Sequence, residues 1–550
     1  MFLIEYGVGK NKIVKKQIKT IVIVGGGTAG WSTALNFLQK TIKPKIIVVA
    51  SKEIPIIGVG ESTTGRFNQL INLTSGFVKI DEADFLRKTG STFKLGILHS
   101  DWHTKGESFT SPLGDDFFNP LSYPSQSYDY SRIWHVAKQL KFNSYTQSQM
   151  MLNNKLPYFE ITDDCHYFDE YNYKGKVDYK FNHEAYHLDT YKVGQYIKEK
   201  VLSHNRVSYF DDTIINVQKN KKGFLESIIT KTGKKIKGDF FIDCSGFLRI
   251  LIEKEFENNF VSYENELLVN RALAFHIENK EDTIIKNYTH VTAKKYGWMW
   301  DIPLQHRKGC GYVYSDNFIT PEQAQREIEK DLGCKIKPQK DIKFKAGRMK
   351  KMWCKNVIST GLASGFVEPL EATSIHMTIL QINHFIEQYY TEHMNFNCEV
   401  AIEQYNKEIT SIWDDIKDFI TLHYITPRND TIFWKEASSS KRWSKNLKNK
   451  LEIWKSRMPR VSDYQGTLNN TFYHLGNSLW YQILIGMNLL DYKIAKKELE
   501  TFNLTDFAEN SHNAKLPMIK WITEKSIDNN IFYRNLEMYL KNYQKLKSID

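Results

Sequence analysis

Cysteine is scarce in this chain: six residues in 550, none of them in a CxxC pair. That excludes the usual zinc-ribbon and thioredoxin-like motifs, so no metal site is expected. A long chain so poor in cysteine suits a reducing compartment, and a cytoplasmic location is the expectation. No apolar run reaches the roughly 18 residues that a membrane-spanning helix needs. The start, MFLIEYGVGKNKIVKKQIK, lacks the ordered basic, apolar and small-residue regions of a signal peptide. A dense basic run is missing too. The net charge is +12, but the lysines are scattered, often beside Asn and Ile. This reads as a solvated basic surface, so neither a nucleic acid nor a membrane is expected as partner.

What is present points to a large globular protein. Hydrophobic residues make up 41% and charged residues 25%, enough for a sizeable core. Residues 19–24, KTIVIV, read as a buried strand, residues 31–39 as a helix, and residues 45–50, KIIVVA, as a second strand. This βαβ unit implies a right-handed crossover and a parallel sheet. Between strand and helix lies GGGTAGW, which places Gly25, Gly27 and Gly30 at GxGxxG spacing. The first glycine permits the tight turn, the second lets a pyrophosphate approach, and the third lets helix and strand pack closely. The helix N-terminus, with Thr28 and Ala29, offers N–H donors to phosphate. One position is off-pattern: where an acidic residue normally binds the ribose stands Ala50, followed by Ser51, Lys52 and Glu53. Either a neighbour takes the role or the adenosine end is held differently.

The α/β signal fades after about residue 81, returns at 238–246 (GDFFIDCSG) and again at 356–361 (NVISTG). Aromatic-rich, turn-rich sequence fills roughly 102–179, and after about residue 373 the pattern is mostly helical. Flavin folds are commonly interrupted in this way. The expected fold class is α/β: an FAD-binding, Rossmann-like module with interleaved substrate segments over 1–375. A mainly helical region over 376–550 packs on it as one compact unit.

Six motifs, GGGTAGW, GVGES, FKLGI, FIDCSG, GWMWDIP and GFVEPLEAT, occur in that order between about residues 21 and 434. Together they resemble the flavin-dependent halogenases of the tryptophan-halogenase type. WMWDIP (298–303) fits the WxWxIP signature that separates those enzymes from ordinary flavin monooxygenases. The resemblance implies that reduced FAD, oxygen and a halide (chloride, bromide or iodide) give hypohalous acid. This oxidant travels through a tunnel to a separate substrate chamber, and Trp298, Trp300 and Pro303 belong to the motif that keeps flavin and substrate apart. It implies flavin contacts at Gly25, Gly27, Thr28, Ala29 and Gly30, at Gly361, Phe366 and Pro369, and along a strap of Gly58, Val59, Gly60, Glu61 and Ser62. FIDCSG is either a further flavin contact or plain sheet core.

The family's catalytic lysine falls on Lys94, in STFKLGILHSDW. Read alone, Phe93, Leu95 and Ile97 alternate with Lys94 and Gly96 as in a half-buried strand, where a lysine is usually an edge residue. Beside the other motifs it implies a group that hydrogen-bonds hypohalous acid or forms a haloamine; burial would lower its pKa. The second catalytic residue falls on Glu371, which orients the halogenating species or takes the proton lost from the ring, with Glu368 the nearby competitor. Backbone N–H groups at Thr373 and Ser374 would bind halide at a helix start. Ser374 stands where a glycine is usual, Ala372 where a serine is frequent, and Gly65 where a proline often follows, so halide preference stays open.

Only one dinucleotide fingerprint is present, which favours reduced flavin supplied by a separate flavin reductase. Enzymes of the family that take free tryptophan clamp the indole between rings. An ungapped alignment puts Pro120 and Ser122, in DDFFNPLSYP, at one clamp position and Leu475 at the other, with Trp480 a few residues on. The expected substrate is therefore a small electron-rich arene of the indole or phenol type other than free tryptophan. The alternative is an FAD-dependent aromatic hydroxylase; a non-catalytic flavin protein would need neither Lys94 nor Glu371. The oligomeric state, a homodimer included, is left open.

Overall fold

The strand Thr20–Val24 is buried from Ile21 onward, and Lys45–Ala50 lies parallel beside it, with the helix Thr28–Lys40 crossing between them. The βαβ reading therefore holds, the helix starting three residues earlier than its apolar pattern suggests. This computed structural model describes residues 16–54, 60–71, 77–113, 130–141, 146–159, 185–464 and 477–536. In it the central sheet has six strands, in the order Val207–Asp211, Lys45–Ala50, Thr20–Val24, Phe240–Asp243, Val357–Ser359, Trp353–Cys354. All neighbours are parallel except the final hairpin. Pieces some 300 residues apart in sequence thus share one sheet, as an interrupted flavin fold requires. The helix Thr28–Lys40 is buried from Gly30 to Gln39, because the helices Thr190–Leu202 and Thr373–Gln388 pack on its outer side.

A second sheet of seven strands runs Pro338–Lys343, Arg271–Glu278, Arg307–Tyr314, Gly297–Pro303, Tyr288–Lys294, Gly96–Ser100, Ser108–Pro112. A small third sheet has Ala185–Asp189 at its centre, flanked by Gly60–Ser62 and Thr92–Lys94. These two sheets correct the expected single strand around Lys94. The chain leaves the small sheet after Lys94 and joins the large one at Gly96. The alternation is not one of exposure either: Phe93, Lys94, Leu95 and Gly96 are all buried, because the segment is covered on both faces. At Gly96 a Cβ would lie 2.6 Å from the Ser111 carbonyl oxygen, so the crossing between sheets has no room for a side chain.

From Thr373 onward the chain is helical as expected, chiefly in Thr373–Gln388, Glu399–Leu422 and, further on, Asn477–Gly486, Tyr492–Thr501 and Thr505–Lys525. The helix Thr373–Gln388 runs across residue 375, and the strand Ser526–Asp528 pairs back onto Lys155–Phe159. Among the described residues, no helix is long and apolar enough to cross a membrane.

Candidate active site

The glycine turn is shaped by backbone crowding. A Cβ on Gly25, whose φ is +119°, would lie 2.1 Å from the Cys244 carbonyl oxygen, and one on Gly30 would lie 1.9 Å from the Gly25 carbonyl oxygen. Neither position can carry a side chain. Gly27 caps the helix Thr28–Lys40 without a side-chain hydrogen bond, and the first turn holds no acidic residue. The N–H groups of Thr28, Ala29 and Gly30 therefore remain for an anion, and the helix dipole favours one. Gly361 closes on this turn, its Cβ position 2.7 Å from that of Ala29. The cradle fits the pyrophosphate of a flavin dinucleotide. Ala50 stands in register with Asp211 of the neighbouring strand, an acidic residue that strand pairing supplies and local sequence could not reveal; the Lys52 ammonium lies 2.9 Å from its carboxylate.

A cleft gathers four motifs that are far apart in sequence. The strap contributes Gly60, Glu61 and Ser62; FKLGI contributes Ile97; WMWDIP contributes Trp298, Trp300 and Ile302; and the last motif with the residue after it contributes Phe366, Pro369, Glu371, Thr373 and Ser374. Gly58 and Val59 lie outside the described residues, as do Pro120, Ser122 and Leu475. Pro303 does not line the cleft; its carbonyl accepts from the Thr92 hydroxyl at 2.6 Å, two residues before Lys94. Glu61 is pushed up to about 7 by burial alone. Thr373 and Ser374 open a 16-residue helix whose N-terminus carries no side-chain cap. The two residues before it, Glu371 at φ 64° and Ala372 at φ 55°, are both left-handed, a conformation costing on the order of 1–3 kcal/mol each for non-glycine residues.

Lys94 is wholly buried and does not line the cleft. Its Nζ donates to Ser62 Oγ at 3.2 Å and to the Thr63 carbonyl at 3.1 Å. Burial lowers its pKa to about 8, partly opposed by the charge of Glu371. The strap and the lysine are thus tied directly as well as through Ala185–Asp189, the strand they share.

Glu371 and Glu368 have opposite environments. Burial would raise Glu371, but hydrogen bonding and charge from His423, helped by His99 and Lys94, outweigh it and hold the carboxyl below its ordinary value. Glu368 is pushed up to about 8 by burial, against hydrogen bonds donated by Tyr424 and Trp298. Trp298 Nε1 donates to its Oε1 at 3.1 Å and the Tyr424 hydroxyl at 2.9 Å. Near neutral pH Glu368 is therefore protonated and Glu371 ionised.

Sequence reading passed over His99 and His423. His99 follows Ile97 by two on the buried side of its strand, and His423, which caps the helix Glu399–Leu422, follows Phe419 by four on the helix's buried side. A histidine in a slot that periodicity reserves for an apolar residue was the available signal. His99 Nε2, Glu371 Oε1 and His423 Nε2 lie within 4.8 Å of one another. Trp480 is buried against Phe419 and Trp454, at ring distances of 5.5 and 6.0 Å.

The family model described as tryptophan halogenase matches residues 20–498. The tryptophan 6-halogenase ThaL of Streptomyces albogriseolus is 30% identical over 498 residues, which is 86% of this chain and 90% of ThaL. The crystal structure of a tryptophan halogenase from Shewanella frigidimarina superposes with a TM-score of 0.83 at 25% identity, covering 96% of this chain and 99% of that one. BrvH, a flavin-dependent halogenase from Brevundimonas, superposes at 0.78 with 25% identity, covering 94% and 99%.

Proposed function

The chain belongs to the tryptophan halogenase family, whose members are flavin-dependent enzymes, and on that premise we propose that it halogenates an electron-rich arene of the indole or phenol type other than free tryptophan. FADH2 comes from a separate flavin reductase in the cytoplasm. The observation that carries this reading is the pairing of a buried Lys94 with an ionised, buried Glu371 beside Trp298 and Trp300.

Bound flavin supplies, with oxygen and halide, the hypohalous acid that reaches Lys94. Thr373 and Ser374 present uncapped helix N–H groups to the halide. Lys94 is an ammonium below about pH 8. Two of its three N–H donors are taken by Ser62 and Thr63, so one is left to hold the oxygen of HOX. That hydrogen bond polarises the O–X bond. The halogen then joins the ring carbon as the O–X bond breaks, and the oxygen takes a proton from the Lys94 ammonium and leaves as water; the amine regains its proton from solvent. Glu371 takes the proton from the same ring carbon, and the C–H electron pair restores the aromatic ring. Trp298 and Trp300 narrow the passage between the two ends and keep the arene from the flavin.

Support for the substrate class is twofold. ThaL is named for tryptophan, which argues for an indole-like ring. Trp480, the tryptophan nearest the expected second clamp position, is spent on core packing. The test is a mass-spectrometric screen of indoles, phenols and L-tryptophan with flavin reductase, FAD and each of chloride, bromide and iodide. Halide-dependent mass gain is expected. Hydroxylated product without halide, or tryptophan turnover rivalling the best indole, would overturn the respective part.

A further inference from the structure

Two buried histidines stand against Glu371, and hydrogen positions at one of them follow from its partners. His423 Nδ1 lies 3.0 Å from the Phe419 carbonyl oxygen. A carbonyl only accepts, so Nδ1 carries a hydrogen. His423 Nε2 lies 3.0 Å from Glu371 Oε1. A carboxylate facing a bare Nε2 would set two lone pairs against each other in a buried site, so a proton lies between them. We propose that His423 is a positioning residue that shares one proton with Glu371, standing as the imidazolium so that the carboxylate stays ionised and aimed for the ring proton; this rests on the halogenase reading.

The surroundings fit that assignment. His99 Nε2 is 3.5 Å from the same Oε1, too far for a good hydrogen bond, and its ring stacks on Phe109 at 4.6 Å. Burial holds His99 down to about 3, so it is neutral and cannot replace the His423 charge. The other charged group facing the pair is Lys94, from the strand Thr92–Lys94; His290, whose pKa burial lowers, faces His99 instead. Glu368, on the same turn as Glu371, is neutral near pH 7. The pair begins with one proton and no net charge. After the ring proton arrives it holds two, as carboxylic acid and imidazolium, and returns one to solvent before the next turnover. Replacing His423 by a neutral residue removes the one group whose hydrogen bond and charge offset burial most, so Glu371 would protonate at a higher pH.

The experiment compares wild type with His423→Gln, which retains an N–H near Glu371 but no charge. The acid limb of the kcat profile should rise by at least about one pH unit while KM stays within about twofold. The basic limb, set by Lys94, should stay in place, so the bell narrows from its acid side. A merely structural role would lower the curve at every pH without moving the limb, and that result would overturn the proposal. A second reading needs no activity. In wild type labelled with ¹⁵N-histidine, the His423 signal, assigned by its loss in the variant, should show both ring nitrogens protonated at pH 7. A pyridine-like Nε2 would overturn the pair. Absence of halogenated product in wild type, with both nitrogens protonated, would instead sink the halogenase reading and leave the pair standing.

Discussion

The two ends of this site are built from different materials. The nucleotide end is backbone: glycines that exclude a Cβ and an uncapped helix N-terminus. The Lys94 end is side chain: a lysine, two glutamates and two histidines, all buried, each with a charge decided by its neighbours. Backbone cradles depend on local geometry and tolerate change elsewhere. A buried ionisable cluster depends on every member, because removing one charge shifts the others. The two ends meet at the strap, where Lys94 Nζ touches Ser62 and Thr63.

The sharpest test of that division is Lys94→Ala. Halogenation should fall by about a thousandfold or more, within the range for losing a group that acts on the reacting atoms. Flavin affinity, read from flavin fluorescence, should stay within about twofold, because no pyrophosphate contact is touched. Joint loss of both would show that the strap makes the two ends one unit. Next in size is the contrast between the glutamates. Glu371→Gln should cost about a hundredfold in kcat. Glu368→Gln keeps the neutral state that burial already imposes at pH 7 and should cost no more than about threefold. Equal losses would mean that Glu368 works ionised. Third, Gly30→Ala forces a Cβ to 1.9 Å from the Gly25 carbonyl oxygen. Overpacking of about 1–3 kcal/mol should weaken flavin binding roughly five- to 150-fold. Any halogenation that remains at saturating FADH2 should keep the wild-type kcat.

The same contrast explains what could be read from sequence. The strands Thr20–Val24 and Lys45–Ala50 and the glycine spacing are local patterns, and the structure has them where the sequence put them. The late helices are likewise periodic. The segment around Lys94 misled, because alternation implies one exposed face and here two sheets cover both. His99 and His423 were silent, because their meaning arises from a third residue 272 and 52 positions away from them respectively, Glu371. Asp211 beside Ala50 is a product of strand pairing alone. Charge state was the least legible property: EPLEAT offers two glutamates, and only the packing of Trp298, Tyr424 and His423 separates them.

The smallest expected effect concerns stability, and its sign runs against function. Lysine ordinarily titrates near 10.4, whereas burial brings Lys94 down to about 8. Between those values the unfolded chain holds a proton that the folded chain has lost, so stability rises with pH across that window and is lowest below about 8. At pH 7 the buried ammonium costs on the order of 2–3 kcal/mol. Lys94→Met removes that charge at similar volume but leaves the Thr63 carbonyl without its donor, an offset of about 1 kcal/mol. The variant should be more stable than wild type by about 1–2 kcal/mol at pH 7, with the gain vanishing as pH rises and turning into a deficit of about 1 kcal/mol near pH 10.4. Chemical denaturation at the two pH values reads this directly. A methionine variant less stable at pH 7 would mean that the Ser62 and Thr63 contacts stabilise the lysine more than burial strains it. The Lys94 end would then owe its geometry to ordinary packing rather than to charge held against its solvation.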